Sequence, residues 1–291
     1  MTGAPELRPV LDGLHLPECP RWHDGALWLA DIWGHEVLRV GEDGAAEVVH
    51  AFPDDEGPAG LGWLPDGRLL VVGMYGRVVY RVEAGSASVY ADLRHLSPYP
   101  LNDMIVAADG TAYVSGFGWD VWGGGTYSDN ALLRVRPDGR AGTVADGMMA
   151  PNGMALTDDG RVLVVAEPGG GRLSRFTVTA DGGLTDRRLV PLPKAAGADH
   201  VTPDGICLDA TGAVWAADPM GRRVIRVLPD GTVTHAVPVS PGYPLACVLG
   251  GADRRTLFIA IGAATRPQDR PAEPGGRLVA LAADVPGAGR P

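Results

Sequence analysis

Apolar and polar positions in this chain alternate in short runs separated by glycine-containing turns, from near the first residues to near the last. The segments HDGALWLADIWGHEVLRVGEDGAAEVV, PDGRLLVVGMYGRVVYRVEAGSASVY, ADGTAYVSGFG, DDGRVLVVAEPGGGRLSRFTVTADGGL and ATGAVWAADPMGRRVIRVLPDGTVTHAV share one order. Each has a turn, an apolar strand, a glycine-rich connection, an alternating strand, a second turn and a last strand. The first turns centre on Gly25, Gly67, Gly110, Gly160 and Gly212, and a sixth copy, GGADRRTLFIA, has Asp253-Arg254 in that place. Recurrence about every 42 to 52 residues, with four strands per unit, marks a β-propeller blade. Six copies predict an all-β six-bladed β-propeller with four-stranded antiparallel blades, residues 1–291 forming one domain. The opening segment ELRPVLDGL is placed to give a strand to the last blade, whose own final strand reads GRLVALAAD.

A proline stands about eight or nine residues before each first turn, at Pro17, Pro58, Pro100, Pro151, Pro203 and Pro244, suiting entry to an innermost strand before its N–H groups are needed. In VTPDGICLDATG the hairpin is then Ala210-Thr211-Gly212, and Asp204 sits at the entrance of blade five. The competing reading makes Pro203-Asp204-Gly205 an ordinary surface turn. Equivalent positions of a closed repeat array share height and radius, so the residues just after the prolines form a ring at one channel mouth: Glu18, Ala59, Asn102, Asn152, Asp204 and Ala246. The chain has Asn only at positions 102, 130 and 152, and two of these fall in the ring.

Charge and composition narrow the chemistry. A net charge of -10 spread along the chain argues against nucleic acid, which wants a basic patch, and favours a cation. No apolar run reaches the roughly 18 residues of a membrane span, and the N-terminal stretch lacks the basic start and apolar core of a secretion signal. A cytoplasmic protein is expected, a monomer or weak homo-oligomer. Cys19, Cys207 and Cys247 are not at metal-site spacing and read as buried, reduced thiols. Carboxylates converging in a narrow channel repel and lose hydration unless a cation or protons compensate. Two carboxylates with amide oxygens suit Ca²⁺ first, with Mg²⁺, Mn²⁺ and Zn²⁺ also admitted. The alternative is a polar, water-filled channel without metal.

Other enzyme classes lack their motifs: there is no G-x-S-x-G elbow, His35-Glu36 has no second His of a zinc-protease helix, and Gly123 to Gly125 have no Walker lysine. The PDDEG run at 53–57 does not continue as a calcium-binding helix-loop-helix and is expected to be a solvated loop.

The segments LPECPRWHDGALWLADIWGHEVLRV, PLNDMIVAADGTAYVSG, APNGMALTDDGRVLVV and TPDGICLDATGAVWAADPMGRRVIRV resemble the SMP-30/gluconolactonase/luciferin-regenerating-enzyme-like, or regucalcin-like, family over about residues 10–280. The resemblance implies a propeller that binds one divalent metal in its channel and hydrolyses lactones. It implies Glu18, Asn152 and Asp204 as metal ligands and Asn102, with Asp103 near it, as substrate contacts; the mechanism expected at such a site has Asp204 also take the proton from the attacking water as the catalytic residue. Sugar-lactonase members often carry an Arg two residues before that Asn; Pro100 stands there in this chain, which leaves the substrate, a small lactone or ester, open as to its sugar character. The loop GFGWDVWGGGTYSDN offers Trp119, Asp120, Trp122 and Tyr127 over the channel mouth, favouring a less polar substrate; the same rings also suit packing between blades. A non-catalytic calcium-binding propeller and a propeller enzyme of another class, such as a strictosidine-synthase-like one, remain the alternatives. A channel closed to small molecules and activity indistinguishable from buffer mark the first, and inactivation by a chelator separates the second from metal-dependent hydrolysis.

Overall fold

The computed structural model describes residues 6–41, 44–193 and 201–290. Among these residues the strands form six antiparallel sheets in chain order, spanning residues 17–51, 58–92, 101–148, 154–191, 206–238 and 243–282. The innermost strands are Pro17–His23, Pro58–Trp63, Leu101–Val106, Met154–Leu156, Ile206–Asp209 and Tyr243–Gly250. Each touches its neighbours before and after, and the sixth touches the first, so the sheets close into the predicted six-bladed propeller. The N-terminal strand Arg8–Leu14 pairs with Gly276–Ala282 and completes blade six, as the reading of ELRPVLDGL anticipated.

The D-G signature of the first turns has a local cause. Gly25, Gly67, Gly110, Gly160 and Gly212 all have φ between 68° and 87°, a region that a side chain disfavours. In blade six the same place falls to Arg254 at φ 58°. The aspartates before the glycines fold the turn onto itself: Asp66, Asp109 and Asp159 accept the N–H of Arg68, Thr111 and Arg161, and Asp253 does so for Arg255. The core lies between blades, where Leu70, Val72 and Val79 of blade two pack with Met104, Val106 and Val114 of blade three.

One element has no precursor in the apolar pattern. Gly287–Ala288 adds a fifth strand to blade five by pairing with Leu208 and Asp209, and Arg290 bridges to Leu156 of blade four. Both partners lie at the finishing ends of inner strands, so the C-terminal segment sits across the channel end away from the entrance prolines.

Candidate active site

The ring residues reach the axis because the inner strands start irregularly. The register of each inner pair slips between Glu18 and Arg21, Pro58 and Leu61, Leu101 and Met104, and Pro244 and Ala246, and such bulges re-aim side chains. In blades four and five the inner strand begins only at Met154 and Ile206, leaving Asn152 and Asp204 in the entrance segment. A Cβ on Gly60 would collide with the backbone of Asp103 and Met104, one on Gly153 with Asp204 and Gly205, and one on Gly205 with Ala246. The triplets Pro58-Ala59-Gly60, Pro151-Asn152-Gly153 and Pro203-Asp204-Gly205 are therefore set by close approach of neighbouring blades. Asp204 is held in the ladder, its N–H donating to the Ala217 carbonyl at 2.9 Å, and Pro203-Asp204-Gly205 is no surface turn.

Glu18, Asn102, Asn152 and Asp204 line one cavity of about 240 Å³; Ala59 and Ala246 are buried and do not line it. Burial pushes the Asp204 carboxyl well above the usual range, the charges of Glu18 and Asp103 push it further, and a hydrogen bond from Asn152 draws it back. Burial raises Glu18 to about 8, against the Cys19 N–H that donates to its Oε2 at 3.0 Å. Desolvation likewise keeps the thiols of Cys19 and Cys247 protonated, and all three cysteines are free and buried. Asp204 Oδ1 is buried with no hydrogen-bond partner among the described residues. An orphaned carboxylate oxygen costs about 1–3 kcal/mol or more, and a hard cation removes that cost. Two carboxylates and two amides give an all-oxygen donor set, which fits such a cation. Among the described residues no three His, Cys, Asp or Glu cluster as a metal group, because amide oxygens supply half of this set.

Of the other sequence-selected residues, Asp103, Asp120, Trp119 and Tyr127 do not line this cavity. Asp103 is buried and turned away from the cavity; its Oδ1 accepts from Arg21 Nη2 at 2.5 Å and from the Met104 N–H at 2.7 Å. Asp120 accepts the Gly123 N–H at 2.7 Å and so folds its own loop. Trp119 packs on Phe117 and Tyr127, and the Tyr127 hydroxyl donates to Asp129 at 2.9 Å. From that loop Trp122, also selected from the sequence, lines the cavity together with Phe117 and Val121.

Three buried carboxylates missed in the sequence hold the entrance loops. Asp31 accepts the N–H groups of His15 and Leu16 at 2.8 and 2.7 Å. Glu167 accepts that of Met149 at 2.7 Å, and Asp218 accepts the N–H and hydroxyl of Thr202, each at 3.0 Å. Burial alone would raise Glu167, but bonds from Arg172, Ser174, Met149 and Arg187 hold it below its ordinary value. These clamps end the second strands of blades one, four and five, and each fixes the chain two or three residues before Glu18, Asn152 or Asp204. Their signal was an acid closing each apolar run, in LWLAD, LVVAE and VWAAD. Glu56 of PDDEG, expected in a solvated loop, is also buried; it binds the N–H groups of Gly57, Tyr75 and Gly76 in the space left by Gly73.

A family model described as SMP-30/Gluconolactonase/LRE-like region matches residues 16–263. The chain is 28% identical to the 6-deoxy-6-sulfogluconolactonase of Pseudomonas putida over 95% of its own length and 94% of that protein. It is also 28% identical to Pentonolactonase XacC of Haloferax volcanii, over 98% of this chain and 96% of the other. A solved gluconolactonase from Xanthomonas campestris superposes with a TM-score of 0.74 at 26% identity, covering 98% of this chain and 91% of that one. The matched region takes in five whole blades and the first two strands of the sixth, and the chain belongs to the SMP-30/gluconolactonase/LRE-like family.

Proposed function

We propose that this protein is a lactone hydrolase dependent on a divalent cation, with Glu18, Asn152 and Asp204 holding the cation. The observation that carries the reading is the buried, unpartnered Oδ1 of Asp204 in a cavity it shares with Glu18 and two amides. Lactonase relatives aligned over nearly the whole chain support the reaction class. When bound, such a cation supplies Lewis acidity that polarises an ester carbonyl and acidifies water. Asp204 takes the proton from the attacking water and returns it to the ring oxygen as that oxygen leaves, giving the open hydroxy acid. The Asn102 amide, buried at the cavity floor, donates to the substrate and orients the carbonyl. Asp103 acts at one remove, through its charge and its bond to Arg21.

The test pairs a chelator with two variants. Dialysis against EDTA abolishes lactone opening, and calcium, manganese, magnesium or zinc restores it to different extents. Asp204→Ala stays folded by circular dichroism and loses turnover, whereas Glu18→Gln weakens cation binding in calorimetry. Full activity of the Asp204 variant, or indifference to EDTA, contradicts the assignment.

A further inference from the structure

Among the described residues that line the cavity there is no Lys, Arg or His. Beyond the donors its polar lining is Thr202 and Thr265. The Thr202 hydroxyl already donates to Asp218 at 3.0 Å and accepts from the Met220 N–H at 3.3 Å. Among the described residues a polyhydroxylated ligand therefore meets one free side-chain hydroxyl, that of Thr265, outside the donor set. The remaining wall is apolar, with Ile32, Met74, Phe117, Trp122 and Leu245 inside. Met220 stands at the rim, 55% exposed. Trp122 is braced edge-on by Tyr75 and tilted against Phe117, at 5.7 and 5.6 Å between ring centroids. A fixed aromatic wall next to a thioether that adapts its shape is the chemistry of an alkyl-chain site. The cavity, about 240 Å³, is small beside the roughly 300–1,000 Å³ of pockets that enclose drug-sized ligands, and matches a lactone ring with a short chain.

We propose that the lactones opened at this site carry an unhydroxylated aliphatic substituent seated against Trp122, Phe117, Met74 and Met220, and that sugar lactones are poor substrates. This selectivity rests on the lactonase reading above. Each methylene moved from water onto the wall improves kcat/KM roughly fourfold until the cavity is full. Each hydroxyl pressed unpaired against it costs roughly tenfold.

The experiment measures kcat/KM with calcium, manganese or zinc present for γ-butyrolactone, γ-heptalactone, γ-nonalactone and D-glucono-δ-lactone. The expected order rises through the alkyl series and places the sugar lactone last. Trp122→Ala lowers the ratio of the heptalactone to the butyrolactone value by about tenfold, and Met220→Ser by less. A sugar lactone opened as fast as the alkyl ones, or a ratio untouched by both variants, overturns the inference while leaving the lactonase reading intact. If no lactone is opened, that reading fails, and calorimetry with ketone isosteres decides the ligand class. Tighter binding of 2-propylcyclopentanone than of cyclopentanone upholds the alkyl site, and equal binding rejects it.

Discussion

Asp218→Asn is the most informative substitution away from the donor ring. The Asp218 side chain is inaccessible; its Oδ1 accepts from Thr202 twice and from the Gly221 N–H at 3.2 Å, and its Oδ2 accepts from Arg223 Nε at 2.9 Å. An amide retains one acceptor oxygen and turns an NH₂ group towards the guanidinium. The lost charge-assisted bond and the weakened remainder amount to about 2–3 kcal/mol, a fall in Tm of about 3–5 °C for a chain of this size. Thr202 lies two residues before Asp204, so the loosened loop also presents its carboxylate less well. If half the loss falls on that placement, cation affinity drops roughly tenfold, about 1.4 kcal/mol. Asp209→Asn is the control: this carboxylate is equally buried in the same blade, bound to Arg226 at 2.7 Å and to the Thr211 N–H at 2.8 Å, but at the opposite end of the inner strand. Calorimetric titration of both variants with calcium, alongside thermal melts and kcat at saturating cation, reads the difference. Asp218→Asn is expected to weaken binding with kcat within a few-fold of the parent, and Asp209→Asn to melt earlier with unchanged affinity. Equal loss of affinity in both variants, or in neither, refutes the clamp.

Three further outcomes follow from the same geometry. Burial pushes Glu18 up to about 8 from an ordinary carboxylate value of 4.5, so the cation-free folded state holds an extra proton between these values. Its stability in thermal melts therefore falls as pH rises from about 4.5 to about 8, and calcium raises Tm more at pH 8 than at pH 6; equal increments at both pH values contradict this. Gly205→Ala drives a methyl into Ala246 and costs about 1–3 kcal/mol in chemical denaturation, whereas Gly124→Ala, with open space around it but φ of 78°, costs about 1 kcal/mol. Tyr127→Phe removes only the bond to Asp129, and kcat/KM for an alkyl lactone stays within about twofold.

The blades were legible because their punctuation is local: an Asp-Gly turn bonds to itself and needs no distant partner. The ring was legible for a related reason, since closure of a repeat array converts a sequence phase into a radius. Asp103 came from the LND motif rather than from the ring, and a motif does not say which way a side chain points where the strand register slips between Leu101 and Met104; its carboxylate meets Arg21. The 117–130 loop has no period to read, and the choice of Trp122 over Trp119 for the cavity wall depends on how Asp120 folds the loop around Gly123. The clamps Asp31, Glu167 and Asp218 recur in register with the ring, yet an acid closing an apolar run looks like a strand end until its partner loop is in place. The C-terminal pairing with Leu208 rests on two residues, Gly287 and Ala288, too few to carry a pattern.

The most direct measurement is a long-wavelength anomalous difference map from crystals grown with calcium. One strong peak is predicted in the cavity, with oxygens of Glu18, Asn152 and Asp204 at about 2.3–2.6 Å from it. A map with no peak there, or with Asp204 Oδ1 still unpartnered while calcium binds elsewhere, contradicts the assignment of the cation site.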